Sequence, residues 1–144
     1  MTTKSGYSII AAEFNKPLTD GMVEIAREEM KAHGLPFLRL LHVPGCYELP
    51  LVAEIEIADH NVEGLITLGY IERGETLHGE VMGHVVHRAL VELQLKVRKP
   101  IGLGIIGPGA TPEQAKVRQA PAAKNAVLAV KRIADILQAK RVGK

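Results

Sequence analysis

A histidine and a short turn suited to an anion lie within five residues of one another. Gly74, Thr76 and His78 follow the apolar run 64–69, and a long helical pattern begins near Thr76. A helix N-terminus offers unpaired backbone N–H groups and a partial positive charge, and both favour an anion. Histidine is the side chain best suited to transfer protons near neutral pH. The stretch 70–78 therefore indicates either an anion site beside a proton carrier, or a plain loop with a helix cap and a solvated histidine.

Alternating apolar runs and helical patterns surround this stretch. They predict strands at 7–12, 37–43, 62–69 and 100–106. They predict helices from Thr19 or Asp20 to His33, at 50–59 and at 77–97. After a loop at 107–112 they predict one or two helical turns at 113–118, an interruption at Pro121 and a last helix at 123–139. Strands that alternate with helices favour a parallel sheet covered by helices on both faces. The length and the absence of a linker predict one domain over residues 1–144.

Polar and aromatic side chains concentrate in four segments that follow the predicted strands. These segments are 14–15, 45–48, 70–78 and 107–118. Ligands of open parallel sheets bind at the carboxyl ends of the strands. We therefore expect one site built from several loops, and no single loop has to supply all of its chemistry.

Composition excludes several classes of partner. A net charge of +2 and the absence of tryptophan argue against a nucleic-acid-binding surface. No apolar run approaches the roughly 20 residues of a membrane span, and the N-terminal residues show no signal-peptide pattern. The only cysteine, Cys46, cannot form an intrachain disulfide and fits a reducing compartment. We expect a soluble, cytoplasmic protein with neither nucleic acid nor membrane as a partner.

Three local patterns invite other interpretations. Residues 102–107 match G-x-G-x-x-G, but two glycines fall inside a predicted strand, which favours room for a close neighbour over a nucleotide phosphate. Glu80, His84 and His87 share one helix face, as some zinc ligands do, but without a further ligand a solvated or subunit-facing polar stripe is favoured, so no metal is predicted. Cys46 is interpreted as a small side chain that fills a tight turn, because nothing in the sequence predicts a thiolate.

The four segments together resemble the lumazine synthase (6,7-dimethyl-8-ribityllumazine synthase) family. The resemblance rests on Phe-Asn at 14–15, Pro-Gly-Cys-Tyr-Glu-Leu-Pro at 44–50, Arg-Gly-Glu-Thr-x-His at 73–78 and Glu-Gln-Ala-x-x-Arg at 113–118. Their order and spacing agree over nearly the whole chain, apart from about one extra residue in the loop 107–112. The resemblance implies a flavodoxin-like, three-layer α/β/α sandwich with a four-stranded parallel sheet.

The resemblance also implies a reaction. The family joins 5-amino-6-(D-ribitylamino)uracil to 3,4-dihydroxy-2-butanone 4-phosphate, the penultimate step of riboflavin biosynthesis, with no metal or organic cofactor. An imine forms between amine and ketone, phosphate leaves, and the second amine closes the ring with loss of water. Such a transferase needs oriented reactants, a proton shuttle and an anion site.

Site residues follow from the resemblance by matching position. His78 would be the general acid/base. The phosphate would be held by Gly74, Glu75, Thr76 and Arg118, with Glu75 acting through its backbone N–H group. The pyrimidine and ribityl groups would contact Phe14, Cys46, Tyr47, Glu48, Tyr70, Ile71, Glu72 and Leu103, the last of which stands in place of a phenylalanine that often comes from a neighbouring subunit.

The family assembles as pentamers, some of which build icosahedral shells, with the site between neighbours. The resemblance therefore implies a homo-oligomer, small-molecule substrates and, as a candidate partner, riboflavin synthase. Two alternatives stay open. One is a shell-forming or flavin-binding relative that keeps the scaffold without the chemistry, and the other is a nucleotide-binding Rossmann domain, which rests on residues 102–107 alone.

Overall fold

The computed structural model, which describes residues 4–142, contains a four-stranded parallel sheet between two layers of helices. The strands are β1 (Gly6–Ala12), β2 (Phe37–Val43), β3 (Val62–Glu72) and β4 (Ile101–Ala110). Their order is β2-β1-β3-β4, and all three neighbouring pairs are parallel. This matches the first four strands of the flavodoxin-like order. The predicted α/β/α sandwich with a four-stranded parallel sheet is confirmed.

Two helices cover each face of the sheet. The first layer contains α1 (Lys16–Ala32) and α4 (Pro112–Val142), and the second contains a 3₁₀ turn (Cys46–Glu48), α2 (Leu49–Ile57) and α3 (His78–Val97). Side chains of β3 alternate between the two cores: Ile66 and Leu68 pack towards α1 and α4, whereas Leu65 and Ile71 pack towards α2 and α3. This two-sided burial explains why β3 is an almost uninterrupted apolar run.

Two predicted helix boundaries are wrong. α1 begins at Lys16, ahead of the expected caps Thr19 and Asp20, because Asn15 adopts a left-handed conformation with φ 57° and Pro17 suits the first helical turn. Pro121 does not interrupt the last helix, which is continuous from Pro112 to Val142. Pro121 is exposed, while the buried side chains of Ala123 and its neighbours pack on the sheet and outweigh the missing backbone hydrogen bond.

The loop predicted at 107–112 is also wrong in large part, because β4 continues to Ala110. Its last residues pair with the end of β3, where Glu72 lies opposite Ala110. Gly107 adopts φ 93° and passes close to the Ile71 carbonyl, a geometry that only glycine accepts readily. Residues 70–72 accordingly belong to β3 and are not part of a loop.

A polar cluster ties the edge strand β2 to α2. The Ser8 hydroxyl donates a 2.6 Å hydrogen bond to Oε2 of Glu56, which is buried. Arg39 donates to the same oxygen at 2.8 Å and to Oδ2 of Asp59 at 2.8 Å. Arg39 lies where the β1–β2 register shifts between Tyr7 and Ile9, so the cluster anchors an irregular part of the sheet.

The fold bears on two further predictions, one about the glycines at 102–107 and one about membrane spans. Gly102 and Gly104 lie inside β4, and a methyl group at position 104 would lie 2.7 Å from Cδ2 of Leu68. The interpretation of these residues as strand glycines that make room for a neighbour is confirmed. Within residues 4–142, no helix is long and apolar enough to cross a membrane.

Candidate active site

A cavity of about 520 Å³ lies at the carboxyl ends of β1, β2 and β3, beside the first turn of α3. Three of the four predicted segments meet there. Its lining residues are Phe14, Pro44, Gly45, Cys46, Glu48, Tyr70, Ile71, Glu72, Gly74, Thr76, His78, Gly79 and Met82. We call it the strand-end cavity. Its volume suits one or two small organic molecules.

His78 is the first residue of α3 and lies exposed at this cavity. Its backbone N–H group donates a 3.3 Å hydrogen bond to Oγ1 of Thr76, which pairs one of the free N–H groups of this helix end. The Tyr47 ring contacts the imidazole edge-on, with 5.9 Å between the ring centroids. Tyr47 does not line the cavity itself. Its position beside His78 limits where the imidazole can lie while leaving it open to a ligand.

Glu48 closes the turn that precedes α2. Its Oε1 accepts a 2.9 Å hydrogen bond from the backbone N–H group of Gly45. One carboxylate oxygen is thereby committed to the protein backbone, and the turn is held in place. The exposed remainder of the carboxylate lines the strand-end cavity and can accept hydrogen bonds from ligand hydroxyl groups.

Cys46 fills the notch above Gly69. A methyl group at position 69 would lie 2.6 Å from Sγ of Cys46, so the thiol occupies the space that a side chain would need. Burial raises the pKa of the Cys46 thiol to about 11, although a hydrogen bond with the Tyr70 backbone lowers it slightly. The thiol is therefore protonated at neutral pH. The interpretation as a small side chain filling a tight turn is confirmed.

Phe14 and Tyr70 form the aromatic wall of the cavity. Their ring centroids lie 6.2 Å apart with the planes inclined by 42°. Tyr70 is buried, and its hydroxyl donates a 2.9 Å hydrogen bond to the Ala110 carbonyl at the end of β4. Burial, then the carboxylates of Glu72 and Glu113, raise the pKa of Tyr70, so it remains a donor. Phe14 is 48% exposed and can stack on a planar ligand.

The segment 72–76 separates the strand-end cavity from a second one of about 680 Å³. Gly74 and Thr76 line both cavities, as does Glu72. Glu75 lines only the second cavity, where Pro108 of β4 forms another part of the wall. Gly74 and Thr76 therefore face both cavities, whereas Glu75 faces only the second one.

Besides Tyr47 and Glu75, two more predicted site residues do not line the strand-end cavity. Leu103 lies in the middle of β4 opposite Thr67, half-buried against the α2–α3 core. Arg118 is exposed on α4, one and a half turns beyond its start. Neither residue lines the strand-end cavity or its neighbour. Within one chain, the structure therefore leaves the anion half of the predicted site without its arginine.

The prediction missed Met82, which lines the cavity together with Pro44, Gly45 and Gly79. Residues four apart lie on the same face of a helix. Met82 follows His78 by four residues, so the sequence spacing alone could have identified it. Gly79 lies next to His78 and close to the Glu72 carbonyl, where a methyl group would lie 3.2 Å from that oxygen.

Together, the fold and the strand-end cavity define a parallel α/β protein with a cavity of small-molecule size and a histidine at a helix N-terminus beside it. The family model for 6,7-dimethyl-8-ribityllumazine synthase matches residues 5–141. The chain belongs to this family. The predicted family and the predicted enzyme class, a transferase, are thus confirmed.

Curated relatives agree over most of their length. The 6,7-dimethyl-8-ribityllumazine synthase of Pyrobaculum arsenaticum is 36% identical over 127 residues, which cover 88% of this chain and 85% of the relative. That of Staphylothermus marinus is 38% identical over 85% of this chain and 81% of the relative. That of Methanococcus aeolicus is 35% identical over 92% of this chain and 98% of the relative.

Proposed function

We propose that this chain makes 6,7-dimethyl-8-ribityllumazine from 5-amino-6-(D-ribitylamino)uracil and 3,4-dihydroxy-2-butanone 4-phosphate. The observation that supports this most directly is one cavity shared by an exposed aromatic ring, a carboxylate and an imidazole: Phe14, Glu48 and His78. These are the groups needed to bind a planar heterocycle, to bind a polyhydroxy chain and to move protons, respectively.

The pyrimidine ring would stack on Phe14, whose free face points into the cavity. The backbone of residues 70–72 would hydrogen-bond the ring edge where β3 ends. The ribityl chain would extend towards Cys46 and Glu48, with the free carboxylate oxygen of Glu48 accepting hydroxyl protons. These contacts fix the two amino groups of the pyrimidine and convert the condensation into a reaction between oriented partners.

His78 would transfer the protons. Attack of the amine on the ketone carbon forms a C–N bond and releases a proton, which the neutral imidazole can accept. The same group, now protonated, can donate to the hydroxyl that leaves as water when the imine forms. Loss of a proton from the neighbouring hydroxyl-bearing carbon then expels phosphate, and the enol that is left tautomerises to a new carbonyl. The second amine closes the ring on this carbonyl and a second water departs. The edge-on Tyr47 ring keeps the imidazole beside the cavity through these steps.

The phosphate would bind where α3 begins. The backbone N–H groups of 74–76 and the Thr76 hydroxyl lie just ahead of this helix, whose N-terminus favours an anion. Glu75 would act through its backbone, consistent with its side chain lining the other cavity. A fixed positive charge is also needed, and Arg118 of the same chain lies elsewhere on α4.

We therefore extend the proposal to a homo-oligomer in which a neighbouring chain supplies Arg118 and Leu103. Leu103 lies on β4, the edge strand of the sheet, where a neighbour can reach it. A ring of chains that each give residues to the next site requires a closed cyclic assembly, and we propose a pentamer or an icosahedral assembly of pentamers. Riboflavin synthase, which would use the product, is the proposed partner of that assembly.

The reaction itself is tested with both substrates and a fluorescence assay for the lumazine product. We expect His78→Ala to lower kcat at least tenfold and Arg118→Ala to raise the KM of the phosphorylated ketone more than that of the pyrimidine. His42→Ala and Arg132→Ala, which change exposed residues outside the cavity, are the matched controls and should match the unmodified protein. Riboflavin binding without any condensation above the uncatalysed rate would favour the non-catalytic alternative.

Sharing of the site between chains is tested by mixing the two impaired variants and measuring activity at a ketone concentration well below the KM of the Arg118→Ala protein. His78→Ala and Arg118→Ala chains, unfolded and reassembled together in equal amounts, should regain about a quarter of full activity, because a site then combines one intact His78 with one intact Arg118 by chance. Each variant reassembled alone should retain only its own reduced activity. Recovery no greater than the sum of the separate variants would refute the shared site while leaving the reaction untouched.

A further inference from the structure

A separate polar cavity of about 390 Å³ lies at the opposite, amino end of the sheet. Its walls are the starts of β1 and β3, the segments that precede β2 and β4, and the last turns of α4. We call it the strand-start cavity. It shares no residue with the strand-end cavity, and the proposed condensation gives it no role.

The Tyr7 hydroxyl faces into the strand-start cavity. The Tyr7 ring is buried against β3, where it contacts Gly64. Among residues 4–142 the hydroxyl has no hydrogen-bond partner. Because no fully buried polar side-chain atom of these residues lacks a partner, the hydroxyl must be accessible from the cavity. Burial, then the carboxylates of Glu63 and Asp135, raise the pKa of Tyr7, whereas Arg141 lowers it. The raised pKa keeps the hydroxyl protonated at neutral pH, so it can donate a hydrogen bond.

Glu63 is directed to this place by an irregularity of the sheet. Between β1 and β3, Gly6 pairs with Val62 but Tyr7 pairs with Gly64, which leaves Glu63 as the extra residue of a bulge. Bulges of this kind redirect a side chain. Glu63 is exposed, lines the cavity and makes no ion pair in the described part of the chain.

Arg98 stands at a position that usually favours glycine. It ends α3 in a left-handed conformation with φ 56°, which is unfavourable for a residue with a side chain. The left-handed conformation does not require arginine, so the presence of arginine at position 98 needs another explanation. Its side chain lines the strand-start cavity and, within residues 4–142, has no carboxylate partner.

The other charges of the cavity are largely satisfied by the protein. Nζ of Lys99 donates to the Ile57 carbonyl at 3.0 Å and the Asp59 carbonyl at 3.3 Å, at the end of α2. Lys131 pairs with Asp135 at 3.1 Å. The groups that remain for a ligand are thus two exposed arginines, Arg98 and Arg141, and Glu63 with the Tyr7 hydroxyl.

We propose that the strand-start cavity binds a small zwitterion. Its ammonium group contacts Glu63 and the Tyr7 hydroxyl, and its carboxylate or phosphate group contacts Arg98 and Arg141. A simple anion would meet the carboxylates of Glu63 and Asp135 and the partial negative charges of the helix C-termini. A simple amine would meet the two arginines. A molecule with both charges can pair with Glu63 and with the two arginines at once, so that no charged group of the cavity is left unpaired.

The binding test uses a matched set of probes: glycine, 4-aminobutyrate and 6-aminohexanoate, which carry both charges at increasing separation, and butyrate and butylamine, which carry one each. Amide chemical shifts of ¹⁵N-labelled protein report binding and its location. We expect at least one zwitterion to shift residues of this cavity with a Kd at least tenfold lower than either single-charge probe. Equal affinities, or shifts confined to the strand-end cavity, would overturn the proposal.

The residue test uses Arg98→Gly and Tyr7→Phe. Glycine suits the left-handed conformation, so Arg98→Gly should not lower Tm, and a loss of zwitterion binding cannot then be attributed to unfolding. Tyr7→Phe keeps the buried ring and removes only the hydroxyl. Each variant should weaken binding at least tenfold, while Arg132→Ala on the same α4 helix should not, and condensation should be unchanged in all three. Unaltered binding in Arg98→Gly would refute the assignment.

Discussion

The ring of Tyr47 meets the imidazole of His78 edge-on, with 5.9 Å between centroids and an angle of 68° between the planes. The two residues belong to different elements, since Tyr47 lies in the 3₁₀ turn before α2 and His78 begins α3. The contact therefore links the turn held by Glu48 to the proposed proton carrier. An exposed histidine at a helix end would otherwise explore several rotamers.

Removal of this contact should affect catalysis more than binding. We expect Tyr47→Ala to lower kcat about tenfold, since the imidazole loses its only aromatic neighbour in the described chain and part of its orientation. Tyr47→Phe keeps the ring and should retain nearly full kcat. Steady-state kinetics with both substrates measure the effect, and similar kcat values for the two variants would show that the ring does not orient His78.

The Tyr70 hydroxyl joins the end of β3 to the end of β4 through the Ala110 carbonyl, which also accepts a hydrogen bond from the Arg73 backbone. Tyr70→Phe removes one of these two bonds and should lower the free energy of unfolding by about 1 kcal/mol. The aromatic contact with Phe14 is kept. We expect a modest fall in Tm and a rise in the KM of the pyrimidine no greater than threefold, whereas Tyr70→Ala, which also removes the Phe14 contact, should raise that KM further.

Cys46 should resist alkylation in the folded protein. With a pKa of about 11, the thiol is only about one-thousandth thiolate at pH 8, and it is also buried. We expect iodoacetamide to modify the folded protein at least a hundredfold more slowly than the same protein in urea. Because the folded pKa is raised, stability is full below the unfolded pKa near 9 and falls as pH rises towards 11. Fast labelling at pH 8 would contradict the buried, protonated thiol.

Acid should weaken the cluster that holds β2 to α2. The Asn61 backbone N–H group, then Arg39, lower the pKa of Asp59, so its stabilising effect is present above about pH 3.8 and is lost as pH falls below it. Arg39→Met also leaves buried Glu56 with one partner fewer, and we expect the free energy of unfolding to fall by about 1 to 2 kcal/mol at pH 7.

Urea denaturation at pH 7 and at pH 3 measures both effects. Arg88→Met, which removes an exposed pair with Glu92 on α3, is the control and should change stability little. A difference between Arg39→Met and the unmodified protein that is as large at pH 3 as at pH 7 would assign the effect to packing of the Arg39 side chain instead.

Elements whose signal is local were predictable from the sequence. The strand 37–43 agrees with β2 at both ends, because its apolar run is bounded by Pro36 and Pro44. The single helix α4 was not predictable, because Pro121 is a strong local signal and the opposing packing of Ala123 and Val127 on the sheet is a tertiary effect. The end of β4 was missed for the same reason, since Gly-Pro-Gly indicates a turn until its pairing with β3 is known.

The candidate site was likewise predictable from the sequence only in part. Residues that follow strands in the same chain, such as Phe14, Glu48 and His78, could be placed together because parallel strands end at one edge. Arg118 and Leu103 could not, because sequence spacing does not tell which copy of the chain a residue serves. That assignment remains a prediction, and the mixing experiment decides it.

The notch shared by Gly69 and Cys46 constrains how this chain can evolve. Any side chain added at position 69 collides with the sulfur, while a smaller residue at position 46 opens a void. Each change alone is unfavourable, and we expect a smaller residue at position 46 to relieve only part of the crowding, because a Cβ atom at position 69 would also lie 3.3 Å from Cβ of Ala12. We therefore expect Gly69→Ala to destabilise the fold less when position 46 also carries a smaller residue.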